Sequence, residues 1–430
     1  MTLLVISPDY ASHLLPLATL ATAWRDAGER VVVASGPATA GITTDFGFER
    51  RDLRLGRGSN PGVIRAADQV AGEDDALRGF FAATERGMVE TLLYQANARS
   101  ADLLWDPVAT ATRVLEVVDK VQADHVIVDH LAFSARLALQ AGGVPHGDVV
   151  LGHPSALPVG NEVYGYPPAW PKAVDADPEA LAVLLQRCRQ VRDEFTAQWN
   201  HALKTLAPQA TPSADAFTEH SDLVLLNYPG ELHDPARRLP PHAFLGSAVR
   251  AQSLPADISQ WLAQDPSLPL VYVSFGSFLS VRGDVLARVV AALRSLPVRV
   301  ALAIGSAEPA LLGDLPGHWL VREFLPQVAL LEHAAISVTH GGNNSVTESL
   351  TFGVPMLVLP FSTDQFAGAA AIENAGVGQV LAPNVASVDE LRSALSDLLA
   401  GENTSVASRI GAGLRETPGR QRAWVAMTGR

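Results

Sequence analysis

The chain has 430 residues, 48% of them hydrophobic and 18% charged, with a mean hydropathy of +0.15. That is more than twice an ordinary domain of about 100–200 residues, and the balance suits a folded enzyme of two core-forming units rather than a disordered chain. A formal net charge of −13 disfavours nucleic acid and anionic membrane surfaces, and a single cysteine, Cys188, excludes an internal disulfide and a multi-thiolate metal site.

The first apolar run, residues 3–7, reads as a buried strand. A turn follows at residues 8–12, and then Leu14, Leu17, Leu20, Ala21 and Trp24 fall at helical spacing up to Gly28. No basic stretch precedes residues 3–6, and no run of about 18 apolar residues occurs, so the expectation is a cytoplasmic chain without a membrane span. Further strands are read at residues 30–34, 125–129, 148–151 and 222–227. The helical run through Phe80, Phe81, Thr84, Met88, Leu92 and Tyr94 reads as core with some positions turned to a ligand. The Pro- and aromatic-rich stretch 153–172 fits either a packed surface loop or the wall of an acceptor pocket. Asp175 and Asp177 formally make a D-x-D, but they lie between Pro171 and Pro178, away from any strand, and read as a solvated loop; no metal is assigned.

At residues 239–255 the composition turns to Pro, His, Ala and Ser, as in a connector. The pattern then restarts with a strand at 270–274 entering the small-residue turn Phe275-Gly276-Ser277, a helix at 285–296, and strands at 299–304 and 335–339. Strands alternating with helices in both halves predict an α/β fold of two Rossmann-like domains, with parallel sheets facing a central cleft. The expected division is 1–240 for the first domain, 241–258 for the linker and 259–410 for the second. Residues 411–430 are expected to form a final helix. The first βα turn lacks G-x-G-x-x-G, which argues against a nicotinamide dehydrogenase.

The densest signal is Val338-Thr339-His340-Gly341-Gly342-Asn343-Asn344-Ser345-Val346-Thr347-Glu348, a strand passing through two glycines into a helix. Glycines let a backbone approach a ligand closely, and the first helical turn presents free N–H groups and about half a positive charge. A diphosphate fits there without metal, with Glu348 one turn further on near a ribose hydroxyl. The same residues would equally serve a tight βα turn with Asn343 or Asn344 as its cap.

The wider block is Phe324-Leu325-Pro326-Gln327, His340 to Ser345, Glu348, Gly353-Val354-Pro355 and Asp364-Gln365. It closely resembles the donor-binding signature of family 1 glycosyltransferases, the GT-B enzymes that include plant UDP-glycosyltransferases and bacterial antibiotic glycosyltransferases. The resemblance implies that Phe324 stacks on the base, Leu325 meets the base edge through its backbone, and Gln327 lies near the ribose. It implies His340, Gly342, Asn344 and Ser345 at the diphosphate, with Ser277 contributing, Glu348 at the ribose, and Asp364 and Gln365 at the donor sugar. Plant members carry Trp where Phe324 and Asn343 stand, so uracil and thymine both stay open.

Ser12-His13-Leu14-Leu15-Pro16 is similar to the family's Gly-His-x-x-Pro segment, whose histidine is the general base, and Asp129 matches the aspartate that orients it. Alone, these two read as a helix-start histidine and a helix cap; with the donor signature present, a catalytic dyad is the expectation, His130 being the rival for either role. The implied function is metal-independent, inverting transfer of a hexose from a UDP- or dTDP-sugar to a hydroxyl, or an amine, of a hydrophobic small-molecule natural product. No resident cofactor, nucleic acid or integral membrane partner is expected, and a homodimer stays open. Alternatives are a nucleotide-sugar epimerase of the same fold and an inert sugar-nucleotide-binding partner of another transferase.

Overall fold

Two parallel sheets organise the computed structural model, which describes residues 1–60, 73–99, 103–401 and 403–430, with backbone only for residues 73–75, 99, 277 and 278. The first sheet is built from β1 (Thr2–Ile6), β2 (Arg30–Ser35), β3 (Glu49–Asp52), β4 (His125–Asp129), β5 (Gly147–Val150), β6 (Leu223–Leu226) and β7 (His242–Phe244). The second holds β8 (Leu270–Ser274), β9 (Arg299–Ala303), β10 (Leu320–Arg322), β11 (Ala334–Thr339), β12 (Met356–Val358) and β13 (Gly378–Val380). Their orders are β3-β2-β1-β4-β5-β6-β7 and β10-β9-β8-β11-β12-β13. In each, the chain first runs outward to one edge and then turns back past its first strand, so the carboxyl ends of the central strands flank a crevice where a ligand can sit. This is the α/β arrangement, with two parallel sheets, that the resemblance implies.

The central strands were legible because they are buried on both faces: β1 is Thr-Leu-Leu-Val-Ile and β8 is Leu-Val-Tyr-Val-Ser, each almost wholly inaccessible. The expected linker needs correcting at its start. Residues 242–244 form β7, paired in parallel with β6, so the first sheet runs past residue 240; this strand is short, partly exposed and preceded by two prolines, and shows no hydrophobic run. The far end of the connector is also helical, because Ala256–Gln264 begins directly after Pro255. The single final helix is two, Thr404–Glu416 and Gly419–Thr428, separated at Thr417 and Pro418 because the residue before a proline avoids the helical region. The last helix lies on the first helix, Ala11–Asp26, with the Trp24 and Trp424 rings edge-on at 5.1 Å and Arg420 paired with Asp26. No helix among the described residues is long and apolar enough to cross a membrane.

The two halves share packing. Val150, Leu226 and Tyr228 from the first sheet's side cluster with Val346, Leu350 and Met356 from the second's. On the opposite side, Phe80 of helix Glu73–Arg86 enters the core formed around β8 and β9. The carbonyl of Thr84, near the end of that helix, accepts from buried Arg282 at 2.9 Å and from Asn384 at 2.9 Å. Both contacts fall on one helix-end carbonyl that the helix itself cannot satisfy.

Candidate active site

Between the sheets lies a cavity of about 560 Å³ lined from both sides. From the first half come Tyr10 and His13, which follow β1 on the turn and first turn of Ala11–Asp26. Strand β4 delivers Asp129 at its last position, 1% exposed, directly behind the histidine. Asp129 Oδ2 lies 2.7 Å from His13 Nδ1, and Asp129 Oδ1 accepts from the Leu131 N–H at 2.8 Å. A carboxylate can only accept, so Nδ1 carries the proton and Nε2 is left with a free lone pair. His13 is 26% exposed. Burial pulls its pKa down, but the charge and hydrogen bond of Asp129, with a smaller contribution from the Asp364 carboxylate, leave it raised above 6.5.

His130 also touches this cavity but has its own partners. It is fully buried, with Nδ1 3.0 Å from Asp148 Oδ2, and Asp148 is also paired with Arg136 at 3.1 Å. Burial pushes the Asp148 carboxyl up, but the Arg136 and His130 charges outweigh it and hold it down at about 2. Thus Asp129, not His130, partners His13.

The opposite wall is the turn from β11 into helix Asn343–Thr351. Gly341 has φ +84°, open only to residues that tolerate the left-handed region, and a Cβ there would lie 2.8 Å from Val358 Cγ1. Gly342 is the helix N-cap and lends no side chain to cap it, so the first-turn N–H groups are left for a ligand. His340 stands against this turn: a Cβ on Gly342 would meet its Nε2 at 2.4 Å. Burial holds the His340 pKa down at about 4, and its Nδ1 has no hydrogen-bond partner among the described residues. It therefore offers a ligand an uncharged imidazole, and the positive field at this wall comes from the helix.

Of the residues singled out in the sequence, His13, Gln327, His340, Gly342, Asn344, Ser345, Asp364 and Gln365 line the cavity. Glu348 sits behind them, buried, and accepts a hydrogen bond from Gln327 Nε2, with Arg250 3.7 Å away. Burial raises the Glu348 pKa, against the opposing pull of Gln327 and Arg250. Gln327 and Glu348, both read as ribose neighbours, are thus one hydrogen-bonded unit. Phe324 stands outside the cavity lining, 51% exposed, and Leu325 packs against the cluster that holds Leu320, Leu330 and Leu331. The side chain of Ser277 lies outside the described residues.

Three further assigned side chains are engaged with protein. Asn344 Nδ2 donates to Ser12 O at 3.0 Å. Asp364 Oδ2 accepts from the His153 N–H at 2.7 Å, and its Oδ1 accepts from the Thr363 hydroxyl at 2.9 Å. The Gln365 amide closes its own loop, accepting from Phe361 N at 2.9 Å and Ser362 N at 3.1 Å and donating to Ser362 Oγ at 3.2 Å. These bonds hold the Gln365 side chain against its own loop while the residue lines the cavity.

Tyr10, Asn60, Gln95 and Leu279 also line the cavity, and sequence reading did not single them out. Tyr10 alone carried a usable signal, being three residues before His13 on the same turn, with ring centroids 5.8 Å apart. The 153–172 stretch supplies Tyr164, Gly165, Tyr166 and Pro167 to the wall, while Trp170 stacks on Phe366 at 5.5 Å. The Asp177 side chain accepts from Glu179 N at 3.1 Å, capping helix Pro178–Leu206.

Over 207 residues the chain is 31% identical to the oleandomycin glycosyltransferase of Streptomyces antibioticus, covering 46% of this chain and 47% of that one. Over 233 residues it is 29% identical to the demethyllactenocin mycarosyltransferase of Streptomyces fradiae, covering 53% and 46%. These alignments span about half the length of the curated relatives or less. Among solved structures, the glycosyltransferase of kitacinnamycin superposes with a TM-score of 0.67 at 21% identity over 98% and 97% of the two chains. The glycosyltransferase VinC, solved in complex with dTDP, gives 0.66 at 21% over 99% of each. The fold is accordingly GT-B. A family model described as UDP-glucoronosyl and UDP-glucosyl transferase matches residues 181–411, more than half of the sequence and all of the β11–helix turn, and the chain belongs to that family.

Proposed function

We propose that this protein transfers a hexose from a UDP- or dTDP-sugar to a hydroxyl group of a hydrophobic small molecule, with inversion at the anomeric carbon. The observation that carries this reading is that one cavity holds the His13–Asp129 pair on one wall and an uncapped helix N-terminus beside His340 on the other. His13 Nε2 takes the proton of the acceptor hydroxyl as its oxygen attacks the anomeric carbon, and the bond from that carbon to the diphosphate oxygen breaks. Charge growing on the leaving diphosphate meets the N–H groups of the first helical turn and the neutral imidazole of His340, fixed donors aimed before the reaction starts. No step in this scheme calls for a divalent ion.

The acceptor faces Tyr10, Phe80, Leu131, Tyr164 and Tyr166, a largely aromatic and aliphatic wall suited to a natural product of the antibiotic type. Support for that class comes from the relatives named for oleandomycin and demethyllactenocin and from the kitacinnamycin glycosyltransferase of like fold. An amine in place of the hydroxyl would use the same base. The test is mass-spectrometric screening of UDP- and dTDP-sugars against acceptor panels, with and without a chelator. A glycosylated product at equal rates in both conditions is expected; dependence on added metal, or no product and no calorimetric binding of any nucleoside diphosphate, overturns the reading.

The exposed Phe324 ring is the base platform in this scheme. Stacking of a base on an aromatic ring contributes about 1–3 kcal/mol. Phe324→Ala is therefore expected to raise the donor KM about tenfold while leaving the acceptor KM and kcat nearly unchanged, as measured by initial rates at varied donor and acceptor.

A further inference from the structure

We propose that Asn343 and Asn344 form a polar interlock that fixes the diphosphate-binding helix in register with the half of the molecule carrying His13. Asn343 acts in it as a positioning residue. This inference rests on the reading above for what the register accomplishes, but the interlock itself is geometric. Asn343 Nδ2 donates to Leu151 O at 2.7 Å and to Asn227 O at 2.8 Å, and Asn344 Nδ2 donates to Ser12 O at 3.0 Å. Two consecutive side chains at the opening of one helix thus hold three main-chain carbonyls of the other half.

Each carbonyl is one that its own secondary structure leaves open. Leu151 and Asn227 directly follow β5 and β6, at the carboxyl ends of adjacent strands. Ser12 lies in the first turn of Ala11–Asp26, where its intrahelical partner would be the N–H four residues on. That residue is Pro16, which has none, so the proline leaves the Ser12 carbonyl for Asn344. The Asn343 amide suits this place because its two N–H hydrogens match two carbonyl oxygens; a carboxylate has no hydrogen to give and would face both oxygens, and an apolar aliphatic side chain would leave both unpaired. Because the partners are main-chain atoms, the contact sets position without constraining the side chains that face the acceptor. The same stretch is held a second time where the His153 N–H reaches Asp364. Leu151 and Gly152 are cavity wall, so the register of Asn343 on Leu151 places the acceptor wall against the diphosphate helix.

The test uses Asn343→Ala and the near-isosteric Asn343→Leu, each with small-angle scattering, calorimetry with UDP and dTDP, and steady-state kinetics on the full chain. The diphosphate contacts lie on the second half, so nucleoside diphosphate affinity is expected to stay within about threefold of wild type, which also certifies folding of that half. The acceptor KM is expected to rise about tenfold, kcat to fall, and the radius of gyration of the unliganded protein to increase. Scattering curves superposing on wild type together with an unchanged acceptor KM would overturn the interlock. If wild type binds no nucleoside diphosphate, the functional reading fails, while the scattering comparison still decides the interlock.

Discussion

Replacing His13 by alanine is expected to lower kcat by about 10²–10⁴-fold, the range contributed by a positioned general base, while nucleoside diphosphate affinity changes little. The separation follows from where the groups sit. His13 follows β1, whereas the uncapped helix, His340, Gln327 and Glu348 all belong to the second half. The reaction loses its proton acceptor and the donor site keeps its own contacts. Among the described residues no neighbour stands ready to substitute: Asp129 loses its His13 partner but is buried behind the position the imidazole vacates, with Oδ1 held by the Leu131 N–H, and His130 is tied to Asp148. Initial rates with a hydroxyl acceptor, beside calorimetric titration with UDP and dTDP, check the result. Turnover within tenfold of wild type would remove His13 from the mechanism, and lost nucleotide binding would show that the two halves of the site are not independent.

Much of this site was legible because its chemistry is carried by short sequence neighbourhoods. The β11–Gly-Gly–helix turn announces itself through a β-branched strand and two glycines, and His13 and Asp129 each mark the carboxyl end of an apolar strand. Central strands could be read for the same reason: burial on both faces demands continuous apolar runs. Edge elements gave no such signal. Strand β3 is Glu-Arg-Arg-Asp, largely exposed and, among the described residues, paired only with β2, and nothing in its composition marks it as a strand. The partners of polar side chains were also hidden. Asn343 reads as a turn residue or cap, yet it reaches carbonyls 192 and 116 positions away, and no local pattern encodes a contact at that separation. Gln365 shows the same on a local scale: its place beside Asp364 fits a sugar contact by resemblance, and its amide also bonds Phe361 and Ser362 in its own loop, which the motif does not announce.

Asp129→Asn provides the sharper test of how His13 is tuned, because it changes charge and proton placement while keeping shape. One oxygen of Asp129 must accept from the Leu131 N–H, so the amide oxygen of the variant takes that position and its NH₂ faces His13 Nδ1. Nδ1 then becomes the acceptor and the proton moves to Nε2, the nitrogen that should receive the acceptor's proton. A comparable change in a serine protease triad costs about 10⁴ in kcat; here a fall of about 10²–10⁴ is expected. The pH profile carries a second, independent sign. In wild type, burial lowers the His13 pKa but Asp129 and, more weakly, Asp364 leave it above 6.5, so the limb of kcat/KM on which the base deprotonates rises with a midpoint above 6.5. Removing the Asp129 charge leaves burial opposed only by Asp364, so the midpoint moves to lower pH. The wild-type advantage is therefore largest above the wild-type midpoint and narrows as pH falls, since acid protonates the wild-type base first. A variant with the wild-type midpoint and undiminished kcat would show that Asp129 neither orients nor charges this imidazole.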